Sequence, residues 1–199
     1  MPRNYGKILA LGAVAVALFL IVGATTAGAQ SDAYSVTYYT HAQTTGAPDA
    51  HLRIINDGNT NGNLWADIYV FNNDEQMEEC CSCVVSPDGI LDLDANVDLL
   101  GNQLAPEVAT TNGVIKVLSS TTVDTAPTPT AGIRGWFTHI QSGAAAGTYS
   151  ITETDLKDST LSATEESVGL AETCAFVHEL GSGHGVCSVA ATSSGYCTN

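Results

Sequence analysis

Apolar and polar positions alternate along most of this chain, and that period of two predicts strands. Residues 34–40 (YSVTYYT) set Tyr34, Val36 and Tyr38 against Ser35, Thr37 and Tyr39, and are rich in the β-branched and aromatic side chains that suit a pleated surface. Residues 51–55 form a shorter strand, closed by the polar run 56–63. Residues 64–71 (LWADIYVF) are apolar on both faces: Leu64, Ala66, Ile68 and Val70 on one, Trp65, Tyr69 and Phe71 on the other, interrupted by Asp67. Such a strand belongs in the middle of a sheet that is covered twice. After the Pro87-Asp88-Gly89 turn the alternation resumes over residues 90–100. Leu91, Leu93, Ala95, Val97 and Leu99 are expected to face in, and Asp92, Asp94, Asn96 and Asp98 out.

Residues 114–119, 133–141 and 148–154 are further strands, the last two joined as a hairpin by the small-residue run 142–147. Residues 121–130 (TTVDTAPTPT) read as a surface loop. Two stretches read as helical. Residues 73–80 (NDEQMEEC) predict one or two turns, capped by Asn73 or Asp74. Ser162-Ala163-Thr164-Glu165 is a capping box that opens a helix over about 163–180, with Gly181 as its stop. The Gly/Ser-rich tail 181–199 carries Cys187 and Cys197. The fold class this predicts is mainly β: an antiparallel β-sandwich-like domain with one C-terminal α-helix and a disulfide-linked tail.

The first thirty residues break the pattern. Arg3 and Lys7 precede an unbroken apolar run, residues 8–22, and Ala27-Gly28-Ala29 follows. This is the layout of a secretory signal cleaved after Ala29. The run falls short of the roughly 20 apolar residues a membrane span needs, and an uncleaved anchor is the alternative. The expected organisation is a signal over 1–29 and a single extracellular β-rich domain over 30–199, secreted or at the cell surface, with no stable membrane insertion after signal removal. The chain carries a net charge of −15, and loss of Arg3 and Lys7 leaves Arg53, Lys116, Arg134 and Lys157 against 21 acids. Phosphate binding needs clustered Lys or Arg, so nucleic acid is excluded as a partner. The acidity favours solubility and divalent cations instead.

The cysteines form two clusters of three: Cys80, Cys81 and Cys83, then Cys174, Cys187 and Cys197. Export and an even count favour disulfides, whose connectivity the spacing leaves open. Parity adds one constraint: with three in each cluster, full oxidation forces at least one bond between clusters. A bond of that kind closes a loop of about 90 residues, worth roughly 4 to 5 kcal/mol in the chain-entropy model. A link between adjacent Cys80 and Cys81 would be strained.

Several constellations tempt a chemical reading. His178-Glu179-Leu180-Gly181-Ser182-Gly183-His184 looks like a zinc-protease motif with two residues inserted. Six apart, the histidines differ by about 240° around a helix and cannot share a metal, so the protease reading fails. Cys174, His178, His184 and Cys187 could hold zinc by spacing, but export favours disulfides for those cysteines. For calcium, Asp57, Asn59 and Asn61 followed by Gly62 match the first half of a calcium loop. The closing acid should stand where Ile68 is, and Asp67 comes one residue early. An Asn/Gly turn between strands is the simpler reading. Calcium is the one candidate cofactor. The ladder Asp92, Asp94, Asn96, Asp98 spaces neighbours about 7 Å apart, too wide to converge without a bend. Ser182 lacks the nucleophile-elbow pattern, and His41, His51 and His139 lie in separate segments.

The stretches GNLWADIYVFNNDEQMEECCSC, SPDGIL, DSTLSATE, ETCAF and LGSGHGVCS together resemble an uncharacterised family of exported soil-bacterial (acidobacterial-type) cysteine-containing β-rich proteins, over roughly residues 52–187. The resemblance implies export and linked cysteine clusters, and brings no catalytic residue. The function expected is that of a secreted, disulfide-stabilised, non-enzymatic structural or surface-interaction protein, with itself or cell-surface components as partner. In one version it is a filament subunit whose N-terminal strand joins a neighbour's sheet. Pairing of that strand inside its own domain is the simpler expectation. The alternatives are a calcium-dependent binding module, using the Asp57 loop with Trp65 or Trp136 at a polysaccharide, and a secreted hydrolase.

Overall fold

The two-sided strand foreseen around Ile68 becomes the centre of the molecule. The computed structural model describes residues 33–104, 110–122, 127–162, 167–181 and 197–198. The chain divides into two units, Met1–Gln30 and Ser31–Asn199, and the described residues all lie in the second. Its strands are β1 (Tyr34–Tyr39), β2 (His51–Asn56), β3 (Leu64–Asn72), β4 (Met77–Val85), β5 (Ile90–Asp94), β6 (Gly113–Ser120), β7 (Ile133–Ser142), β8 (Tyr149–Asp155), β9 (Lys157–Asp158) and β10 (Cys197–Thr198). The helix α1 spans Ser167–Glu179. No helix among the described residues is long and apolar enough to cross a membrane.

The strands form two antiparallel sheets, one in the order β10-β4-β3-β6-β1-β9 and one in the order β5-β2-β7-β8. Their apolar faces meet in a core that includes Leu52, Ile54, Leu64, Ile68, Val70, Leu93, Ile115 and Phe137. On the far side of the larger sheet, Tyr34, Tyr69, Met77, Cys80 and Leu118 pack against Leu170 and Val177 of α1. The alternation along β3 explains both contacts. Ala66, Ile68 and Val70 enter the inter-sheet core, while Tyr69 and Phe71 turn to the helix. The result is a mainly β, antiparallel sandwich-like fold with one helix laid on its outer face.

Two expectations need correction. Residues 73–80 are not helical: Asn72 turns the chain, its side chain accepting the N–H groups of Asp74 and Gln76, and β4 begins at Met77. The acids there favour a helix start locally, but pairing with β3 at one of the most buried sites in the fold overrides that preference. The alternation after Gly89 also stops early, at Asp94. The chain then turns on the Asp94 carbonyl, which accepts from Asp98 and Leu99, and leaves Val97 exposed. The expected C-terminal helix is present and is described over Ser167–Glu179; residues 163–166 of the expected capping box lie outside the described residues.

The N-terminal strand is used at home. β1 pairs with β6 over all six of its residues, and Ser35 and Val36 also pair with β9. One glycine is required by this packing. A side chain at Gly113 would run into the Phe71 carbonyl and the Tyr39 hydroxyl, which are themselves hydrogen-bonded at 3.1 Å.

Candidate functional site

Strand β4 reads Met77-Glu78-Glu79-Cys80-Cys81-Ser82-Cys83-Val84-Val85, and most of the unusual chemistry lies along it. Because successive side chains point to opposite faces, Cys80 meets the helix while Cys81 and Cys83 enter the inter-sheet core. The adjacent pair therefore serves two different layers. Cys80 is bonded to Cys174 of α1, and Cys83 to Cys197 of β10, its direct cross-strand neighbour. Both described disulfides run between the two sequence clusters. Cys81 is buried in the core; Cys187, with His184 and Ser182, lies outside the described residues.

His178 completes the junction on the helix side. It stands one turn beyond Cys174, so both side chains share a face of α1. Its Nε2 lies 3.4 Å from Cys80 Sγ, 3.8 Å from Cys174 Sγ and 3.3 Å from the Cys80 carbonyl oxygen. Cys80, Cys174 and His178 are the group of His, Cys or acidic ligand atoms, among the described residues, that converge within 4.8 Å. Cys80 is buried and the other two are half-buried, so the cluster has a solvent side. Spacing alone suggested Cys174 with His178; the third member comes from a strand 94 residues away.

At the start of β4 a bulge opposite Val70 and Phe71 inserts an extra residue, so Glu78 and Glu79 are both carried inward and fully buried. Glu78 accepts a hydrogen bond of 2.6 Å from the Asn72 side chain. Glu79 accepts one from the Asn102 backbone, but among the described residues its other oxygen has no hydrogen-bond partner, nor has the buried side-chain oxygen of Gln103. Burial pushes the Glu79 carboxyl up to about 8; the Asn102 N–H opposes this, and the charges of Glu78 and Asp98 add to it. Glu79 is thus held as the neutral acid at neutral pH. Burial, then Glu78 and Glu79, also drive the Tyr39 phenol well above its ordinary range. Nothing in the sequence pattern marks this pair, since the same acids read as the surface of a helix.

Of the expected calcium residues, Asp57, Asn59 and Asn61 lie in the turn after β2 and Asp67 lies on β3. Asp57 Oδ1 accepts the Asn59 N–H in a tight turn, and its other oxygen lies 3.9 Å from Arg134 Nε. Asp67 is buried within the larger sheet, on the Tyr69 face, where it accepts a 2.5 Å hydrogen bond from Ser82. Burial raises its carboxyl to about 6, opposed by the Ser82 hydrogen bond and then by the neighbouring Ser120. Asn61 takes the left-handed turn conformation at φ 55°.

The acid ladder is rearranged by the turn at Asp94. Asp92 stays on β5, 3.1 Å from His51 and 3.2 Å from Arg53, and Arg53 also holds Glu153 at 3.0 Å. Asp94 accepts the N–H groups of Asn96 and Val97, and Asp49 accepts the same Asn96 N–H. Burial, then the neighbouring Asp94 carboxyl, raises Asp49. Burial raises Asp94 too, but the Asp49 carboxyl and the two N–H groups outweigh it and hold Asp94 below its usual range. The remaining histidines are occupied: His139 is buried against Tyr38 and bonded to Thr154 at 2.8 Å, and His41 bonds Ser142 at 2.9 Å. Trp65 and Trp136 are both half-buried.

Fold and site together define a disulfide-fastened β-sandwich-like domain with an outer helix. No protein-family model, curated protein or solved structure matches the chain.

Proposed function

We propose that this chain is an exported, disulfide-stabilised, non-enzymatic structural or surface-interaction domain, and that it associates with further copies of itself through a sheet edge. The observation that carries this reading is β8. It is the last strand of its sheet, pairs with β7 on one side, and Ser150 to Asp155 are exposed in succession, Ile151 to 58%. Long open edges present unpaired backbone groups to a second strand, and monomeric proteins usually blunt them. One acid on this edge, Glu153, is already matched by Arg53. Since β1 is paired within the domain, β8 receives the added strand in this reading. The apolar leader with its Ala-Gly-Ala site, the likeness to exported soil-bacterial proteins and the two disulfides support a place outside the cell.

Light scattering across concentration on the purified chain from Gln30 onward tests the proposal. The average mass should rise with concentration, and Ile151→Lys, which sets a charge on the edge, should hold it at the monomer. A monomer at every concentration overturns self-association, and assembly unchanged by Ile151→Lys moves it away from β8.

A further inference from the structure

The disulfide that fastens α1 has a third donor beside it, and that geometry suggests a second state. Tetrahedral zinc binds thiolate sulfur at about 2.3 Å and imidazole nitrogen at about 2.0 to 2.1 Å. The edge between such ligands is therefore about 3.5 Å for sulfur and nitrogen and about 3.8 Å for two sulfurs. The sulfur–nitrogen edges are already present here, at 3.4 and 3.8 Å. The sulfur–sulfur distance, 2.03 Å in the disulfide, is the one edge that must open.

We propose that Cys80, Cys174 and His178 form a redox-gated binding site for a soft or borderline divalent metal such as zinc, closed while the disulfide is intact and opened by its reduction. A thiol or phosphine reductant, itself oxidised to its disulfide or phosphine oxide, supplies two electrons that break the sulfur–sulfur bond, and two protons from that thiol or from water leave two thiols. A divalent ion then displaces their two protons and takes the two thiolates and His178 Nε2 as ligands. Nε2 must present its lone pair, so the imidazole proton resides on Nδ1 and the contact to the Cys80 carbonyl is given up. The fourth position faces the solvent side left by half-buried Cys174 and His178, and water fills it. The positioning is strong because Cys174 and His178 are a fixed i, i+4 pair on the helix, and Cys80 is anchored by strand pairing on β4. The net charge of −15 favours a cation near the surface. In this arrangement α1 stays fastened to β4 in both redox states, by a covalent bond in one and by a metal in the other.

Cobalt(II) is the probe, with a non-chelating phosphine as reductant. The oxidised protein should give no tetrahedral cobalt spectrum. The reduced protein should develop intense visible d–d bands and a thiolate charge-transfer band that saturate at one equivalent and are displaced by zinc. His178→Gln leaves the disulfide and the oxidised fold intact; after reduction it should bind cobalt at least tenfold more weakly, with shifted bands. Cys80→Ser/Cys174→Ser, which keeps the other four cysteines, should lose the spectrum. Absence of a one-equivalent tetrahedral spectrum in the reduced protein overturns the proposal. So does a spectrum and affinity that His178→Gln leaves unchanged, a test that does not depend on the double variant folding.

Discussion

Glu79→Gln isolates the energetic consequence of burying an acid at the head of β4. The native carboxyl titrates near 8, against an ordinary value of 4.5. An acid whose pKa is raised by folding binds its proton more tightly in the native state, so its contribution is complete below about pH 4.5 and is lost as pH climbs through 8. At about 1.36 kcal/mol per pH unit, the interval from pH 5 to pH 8 removes about 3.5 kcal/mol, with little further loss above. Glutamine keeps an acceptor for the Asn102 N–H and cannot ionise, so the variant should lack this slope. Asp67 and Asp49, both raised, leave a smaller residual decline at lower pH. The assay is urea unfolding of both proteins at half-unit intervals from pH 5 to 9, compared as differences between them. The gap should widen by about 4 kcal/mol in favour of Glu79→Gln across that range. Parallel curves would show that Glu79 is ionised at neutral pH and that the burial argument is wrong.

Other outcomes follow from the same structure. Cys83→Ser/Cys197→Ser opens a cross-link of 114 residues and should lower unfolding free energy by roughly 2 to 5 kcal/mol in denaturant titrations; a change below 1 kcal/mol would mean the denatured chain gains little freedom. Calorimetric titration with calcium should show no binding heat that Asp57→Asn removes, because Arg134 already faces that carboxylate and Asp67 is engaged with Ser82. A saturable heat lost in Asp57→Asn would restore the loop as a calcium site.

What the chain determines by itself is which residues share a face. Period-two alternation placed β1, β2, β3, β6, β7 and β8, and the two apolar faces of residues 64–71 foretold a strand covered on both sides. Cysteine parity foretold a bond between clusters. These are local or combinatorial properties, readable without knowing what stands opposite. Tertiary structure decided everything that depends on the opposite side. Residues 73–80 carry helix-start chemistry, yet β3 and the bulge at Val70 draw Glu78 and Glu79 into a strand and out of water. Asp94 could belong to a regular ladder until a turn bends it against Asp49. The choice of Cys174 for Cys80 and Cys197 for Cys83 follows from the faces of β4, one turned to the helix and one to the core. His178 meets both sulfurs only because α1 lies across that strand. Contacts between residues 94 and 114 positions apart leave no periodic trace, because they are chosen by the packing of whole layers and not by the neighbours in the chain.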